Sequence, residues 1–201
     1  VTVIDWRVGS LVGRSWLYAQ MAAMNHALYR WRRRTKYLTM FDVDEYVLPR
    51  APVDTLTGLL AGYREVLAAL PVAGLRIQSH FFGGGRGAFP PADRLVIDSF
   101  LFADENVTHD GYQKLIVLPD RITHRVNIHS LEAQPWLDLG EDTAVLNHYW
   151  WTRPRPGKGE VHTTEIVERF GDALRARVPP ASLVASPSRR PSTWARGQGT
   201  N

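Results

Sequence analysis

Lys36 Tyr37 Leu38 Thr39 Met40 Phe41 Asp42 Val43 Asp44 Glu45 Tyr46 Val47 Leu48 Pro49 is the stretch whose reading decides the fold. Lys36 to Phe41 is almost continuously apolar, the pattern of a short strand covered on both faces, as in a parallel sheet. Three carboxylates follow at the strand's carboxyl end, where open α/β sheets bind their ligands. Residues two apart on an extended chain point to one side, so Asp42 and Asp44 are expected to reach toward one object. Carboxylates that close repel unless a cation lies between them. Mg²⁺ or Mn²⁺ suits oxygen ligands of this kind and usually binds together with substrate phosphates. The plainer alternative is a solvated acidic turn that caps a strand.

Upstream, Ser15 is a suitable N-cap for a helix running to about Arg34, with Leu17, Met21, Met24, Leu28 and Trp31 forming a buried stripe. With the strand-like run Val1 to Trp6 before it, the order strand, helix, strand is a βαβ unit. Downstream, a helix is expected from Asp54 to Leu70, ended by Pro71. Strands are expected at Gly74 to Phe82, Leu95 to Phe102, Lys114 to Leu118, Arg125 to His129 and Ala144 to Trp151. A last helix covers His162 to Arg177, and the tail Ser186 to Asn201, rich in Ser, Pro, Arg and Gly, reads as disordered.

The 201 residues suffice for one globular domain with a sizeable core. There is no cysteine, which removes disulfides, thiolate metal sites and cysteine nucleophiles. No apolar run is long enough to span a bilayer, and Val1 to Trp6 does not read as a signal peptide. The net charge of +4 is local. Three of those charges sit in the tail, and a second basic cluster, Arg30, Arg32, Arg33, Arg34 and Lys36, closes the first helix, where the helix dipole favours cations. Nucleic-acid binding would want a broader basic face, and none is expected. The Ala, Arg and Pro content suggests a GC-rich bacterial source and, through it, a cytoplasmic location.

The pattern Trp16, Gln20, Ala23, Asn25, His26, Arg30, followed by Lys36 to Pro49, resembles glycosyltransferase family 92. The resemblance continues through Phe81 Phe82 Gly83, Val96 Ile97 Asp98 Ser99 Phe100, Lys114 to Asp120, Val126 to Ser130 and Asn147 His148 Tyr149. It implies an α/β fold of the GT-A type: a mixed αβα sandwich in which a sugar nucleotide lies over the strand ends and the DxD motif holds its diphosphate through a metal. It also implies hexose transfer, commonly galactose from a UDP-sugar, to a saccharide acceptor with inversion. The family fold begins with further strand and helix units that build the base pocket. The expectation is therefore a GT-A-like domain over residues 1 to 185 that is incomplete at its amino end. A relic of the fold that binds carbohydrate or nucleotide without catalysis, and a metal-dependent phosphohydrolase, are the alternatives.

On this reading Asp44 is the direct metal ligand and Asp42 a second ligand or a ribose contact. The resemblance adds a late histidine as third ligand, with His148 the best placed and His129 the runner-up. The other histidines read as structural or surface residues. Gln20, Asn25 and Arg30 lie off the buried stripe, facing either solvent or the nucleotide. Lys114 opens its strand and is a candidate phosphate contact, or else a solvated lysine. Inversion needs a carboxylate base. Asp98 is the candidate, in a run where the family tends to carry an acid; Asp104, Glu105 and Glu132 stand behind it. Gly83 to Gly85 reads as a loop over the acceptor, and Trp136, Trp150 and Trp151 as flat faces for a sugar ring or as core.

Overall fold

The computed structural model describes residues 15–83, 94–105, 112–127, 129, 134–149 and 161–177. The expected strand Val1 to Trp6, most of the glycine loop, Glu132, Trp150, Trp151 and the tail lie outside them. The first element, α1 (Ser15–Trp31), is followed by β1 (Leu38–Thr39) and β2 (Glu45–Pro49). Next come two short helices, α2 (Leu56–Gly62) and α3 (Arg64–Ala69), and then β3 (Gly74–Ile77) and β4 (Ser79–Phe82). The remainder is α4 (Val96–Ser99), β5 (Phe102–Ala103), β6 (Lys114–Val117), a 3₁₀ turn (Pro119–Arg121), β7 (Leu137–Asp138), β8 (Ala144–Tyr149), β9 (Val161–His162) and α5 (Glu165–Arg175).

The strands form two mixed sheets, ordered β1-β6-β3-β7 and β2-β8-β4-β5-β9. They are joined at Gln78, the residue between β3 and β4, whose carbonyl accepts from the Leu146 N–H of β8. Alternation along the strands gives each sheet two faces. Leu75, Ile77, Ile116, Ala144 and Leu146 point to one side and pack under Leu59, Leu60 and Leu67 of α2 and α3. On the other side α1 lays Leu28 against Leu115, Val117 and Val126. There α4 and α5 place Ile97 and Ile166 against Phe82, Val145 and Tyr149. The α/β class and the helix, sheet, helix layering are thus as expected. Gly74 is required where β3 meets β6, because a Cβ there would lie 2.3 Å from the Ile116 carbonyl oxygen.

Several expectations are corrected in detail. The run Lys36 to Phe41 gives only the two-residue β1, which pairs antiparallel with β6 at the sheet edge rather than inside a parallel sheet. Glu45 to Pro49, where no strand is expected, is the strand β2, antiparallel to β8. The single helix expected over Asp54 to Leu70 breaks at Tyr63, after a helix weakened by Gly58 and Gly62. Gly74 to Phe82 is two strands in two sheets, since a continuous apolar run does not say where the chain changes partners. Leu95 to Phe102 is not one strand: only Phe102, which opens β5, is paired in a sheet. Val96, Ile97 and Phe100 have helical spacing, the Ser99 hydroxyl donates to the Leu95 carbonyl at 3.1 Å, and α4 closes against α5. Of the strand expected at Arg125 to His129 only a bridge at Val126 forms, and residue 128 lies outside the described residues. The stripe on α1 is narrower than expected: Leu28 is fully buried, whereas Met21, Met24 and Trp31 are half-buried.

Candidate functional site

The acidic motif lies where the chain passes from the first sheet to the second. Asp42 to Asp44 is a turn, closed by the Glu45 N–H donating to the Asp42 carbonyl at 3.2 Å, with Val43 exposed at its tip. The extended-chain argument for two aspartates on one side therefore fails. The turn instead sends them to different partners. Asp42 Oδ2 stands 2.8 Å from Lys114 Nζ, and Asp44 Oδ2 stands 3.8 Å from His148 Nε2.

Glu45, given no role by the sequence reading, joins these halves. It opens β2 with a side chain that is 0% exposed. Its Oε2 accepts from the Asp42 N–H at 2.9 Å, and its Oε1 faces both Lys114 Nζ at 3.1 Å and His148 Nδ1 at 3.5 Å. The register explains the meeting: Glu45 lies opposite His148, His148 opposite Phe81, and Lys114 opposite Ile77 at the end of the β3–β6 ladder. Lys114 is fully buried, which overturns its reading as a solvated lysine. A buried ammonium is tolerated only when paired, and two carboxylates pair it here.

Burial pushes the Glu45 carboxyl above its ordinary value, against the lowering effect of the Asp42 N–H and of Lys114. Burial likewise holds the His148 imidazole below its ordinary value, opposed by Asp44. His129 is lowered by burial too, and its Nδ1 donates to the Gln113 carbonyl at 3.0 Å. Phe81 lies against His148 and against Tyr112, with ring centroids 5.0 and 5.1 Å apart, and Tyr112 leads on to His129 at 6.2 Å. In this aromatic wall Phe81 belongs to the Phe81 Phe82 Gly83 run, but nothing in the sequence places it beside Tyr112, which lies in a separate segment.

Among the other expected residues, Gln20 joins the group through its amide, which donates to Asp42 Oδ1 at 3.3 Å. Asn25 does not. Its amide donates to the Met21 and Val126 carbonyls at 2.8 and 2.9 Å, and its oxygen accepts from the Val126 N–H at 3.0 Å, so it clamps α1 to the segment after β6. Arg30 is exposed, its guanidinium 5.8 Å from the centre of the Trp31 ring. Asp98 lies on α4 and pairs with Arg175 of α5 at 2.8 Å. That helix packs on Tyr149, and His148 points to the opposite face of β8, so the sheet separates Asp98 from the acidic turn. Trp136 stacks under Arg76 at 4.7 Å as part of the core beside α1.

Two of the three expected metal ligands, Asp44 and His148, face each other. Asp42 is engaged by Lys114, and no three His, Asp or Glu side chains among the described residues converge as a ready-made metal cage. An imidazole whose other nitrogen faces a carboxylate, next to a partly open aspartate, is a donor set that fits an oxygen-preferring divalent ion sharing its shell with phosphate. Among the described residues no helix is long and apolar enough to cross a membrane.

Comparison with known proteins fits this picture. The family model described as Glycosyltransferase family 92 matches residues 1–177. A curated glycosyltransferase family 92 protein of Ricinus communis is 28% identical over 142 residues, covering 67% of this chain and 24% of that protein. The chain therefore spans about a quarter of the length of the curated relative it matches.

Proposed function

The chain belongs to glycosyltransferase family 92, and from that premise we propose that it transfers a hexose, galactose being the first candidate, from a UDP-sugar to a saccharide acceptor, with inversion and with the help of Mn²⁺ or Mg²⁺. The observation that carries this reading is the Asp44 carboxylate facing His148 Nε2 across 3.8 Å, at a turn supported from behind by Glu45 and Lys114. Bound between them, a divalent ion would supply Lewis-acid neutralisation of the charge that develops on the departing diphosphate. The chain's own residues do the rest. Glu45 Oε1 lies 3.5 Å from His148 Nδ1, on the side of the ring away from the Nε2 that faces Asp44. Lys114 balances Asp42 and Glu45, so the turn keeps its shape without a bound ion. Gln20 and Asp42 form the rim on the α1 side, where a nucleotide ribose is accommodated.

Asp44→Asn is expected to abolish Mn²⁺-dependent UDP binding in calorimetry while the circular dichroism spectrum stays unchanged. Retained affinity in that variant would remove the site assignment. Incubation with UDP-sugars and Mn²⁺, with and without saccharide acceptors, separates transfer from hydrolysis: UDP release that ignores every acceptor would favour the phosphohydrolase instead.

A further inference from the structure

The arginines of this fold are mostly spent. Arg50 pairs with Glu165, Arg76 with Asp138, Arg169 with Glu165 and Asp54, Arg175 with Asp98 and Asp172, and Arg121 caps the Leu70 and Val72 carbonyls. The largest group outside these pairs is the carboxyl end of α1. Arg30, Arg33, Arg34 and Lys36 are exposed, and Arg32 is half-buried with its guanidinium on the Asp120 carbonyl oxygen at 3.2 Å. Among the described residues no carboxylate lies within ion-pair distance of any of the five. The sequence carries no Asp or Glu between Asp5 and Asp42, and the other nineteen Lys and Arg fall one short of the twenty Asp and Glu. This helix end is thus a concentrated positive patch with no acid near it in sequence.

Folding does not account for it. The helix dipole favours a cation in the last turn and fades beyond it, whereas Arg33, Arg34 and Lys36 lie past Trp31, where α1 ends. Like charges three and four residues apart repel. Aromatic residues are interleaved with the cations: Tyr29 is 59% exposed, and Trp31 and Tyr37 are half-buried beneath Arg30 and Lys36. Arginine's planar fork matches phosphate oxygens two at a time, and a basic cluster set among aromatics at a helix end has the composition of a contact with a phosphate-bearing bilayer surface.

We propose that the carboxyl end of α1, Tyr29 to Lys36, docks the protein on an anionic lipid surface. The same helix carries Gln20, which touches Asp42, ten residues before Arg30, about 15 Å away at the rise of an α-helix. A docked chain therefore holds the acidic turn within reach of acceptors displayed at the membrane. The docking claim is independent of the transfer chemistry.

The test is co-sedimentation of the full 201-residue chain with vesicles of phosphatidylcholine alone and with vesicles that also contain phosphatidylglycerol. Binding is expected to the anionic vesicles alone and to disappear as salt approaches 1 M, where screening shortens to about 3 Å. R33Q/R34Q/K36Q is expected to lower partitioning by about a hundredfold with an unchanged melting temperature, while R64Q, on the exposed face of α3, binds as before. Equal binding by the triple variant, no binding to anionic vesicles, or insensitivity to salt overturns the proposal. Retention on a soluble acidic polysaccharide without vesicle binding also overturns it and gives the patch to a saccharide.

Discussion

Lys114 shows how much one buried charge organises. Its ammonium is the only positive group within reach of both Asp42 and Glu45 among the described residues, and Glu45 has no route to water. Lys114→Met leaves an uncompensated buried carboxylate, so a loss of about 3 kcal/mol is expected, at the low end of the usual range because Asp42 is partly exposed and can rehydrate. Urea denaturation measures it. Adding Glu45→Gln to Lys114→Met should recover part of the loss, because the stranded charge is then gone; strictly additive losses in that cycle would show that the two side chains are not coupled. Lysine opening a strand of otherwise apolar residues looks like a surface residue in sequence. Only the register that sets Lys114 at the end of β6, beside the acidic turn, turns it into a core counter-charge.

At the scale of elements, α1 is attached by the side chain of Asn25 as well as by its apolar face. Asn25 reproduces a strand's pairing, giving and taking a hydrogen bond with the backbone of Val126. Asn25→Ala is expected to cost about 2 kcal/mol, since both backbone groups of a buried residue lose their partner. Per folded molecule, UDP affinity should not change, because Asn25 points away from the acidic turn. Calorimetry below the melting temperature checks both, and a selective loss of UDP binding in a fully folded variant would return Asn25 to the nucleotide. Elements were legible where periodicity was long: α1, α5, β6 and β8 lie where the pattern of apolar residues puts them, although α1 ends at Trp31 rather than Arg34 and His162 belongs to β9 rather than to α5. They were illegible where the chain changes sheet. Two of these crossings, at Asp42 to Asp44 and at Gln78, are marked by hydrogen bonds, among them those from the Glu45 N–H to Asp42 and from the Leu146 N–H to Gln78, and no composition signals those. The acids themselves were visible in the motif, while Glu45 and the aromatic wall became part of the site only through strand register.

For the whole molecule, three imidazoles that the fold half-buries among the described residues make stability depend on pH in a definite direction. His80, whose Nε2 donates to the Asp104 carbonyl at 2.7 Å, is lowered by burial, as are His129 and His148. The unfolded chain takes up protons on these residues near the ordinary imidazole value of about 6.5, while the folded chain still resists them. Below that value the unfolded state therefore binds more protons, and stability falls as pH falls. Glu45 acts oppositely and lower on the scale: its raised folded value means that the native state holds a proton the unfolded state has released, so its ionisation weakens the fold as pH rises above the ordinary carboxylate range. The two effects overlap only in mild acid. Without divalent metal, the urea midpoint is expected to be highest above pH 7 and to drop steadily toward pH 5.5. His80→Gln, remote from the acidic turn, should flatten that slope; a midpoint that rises on acidification would mean that these rings are charged in the folded chain.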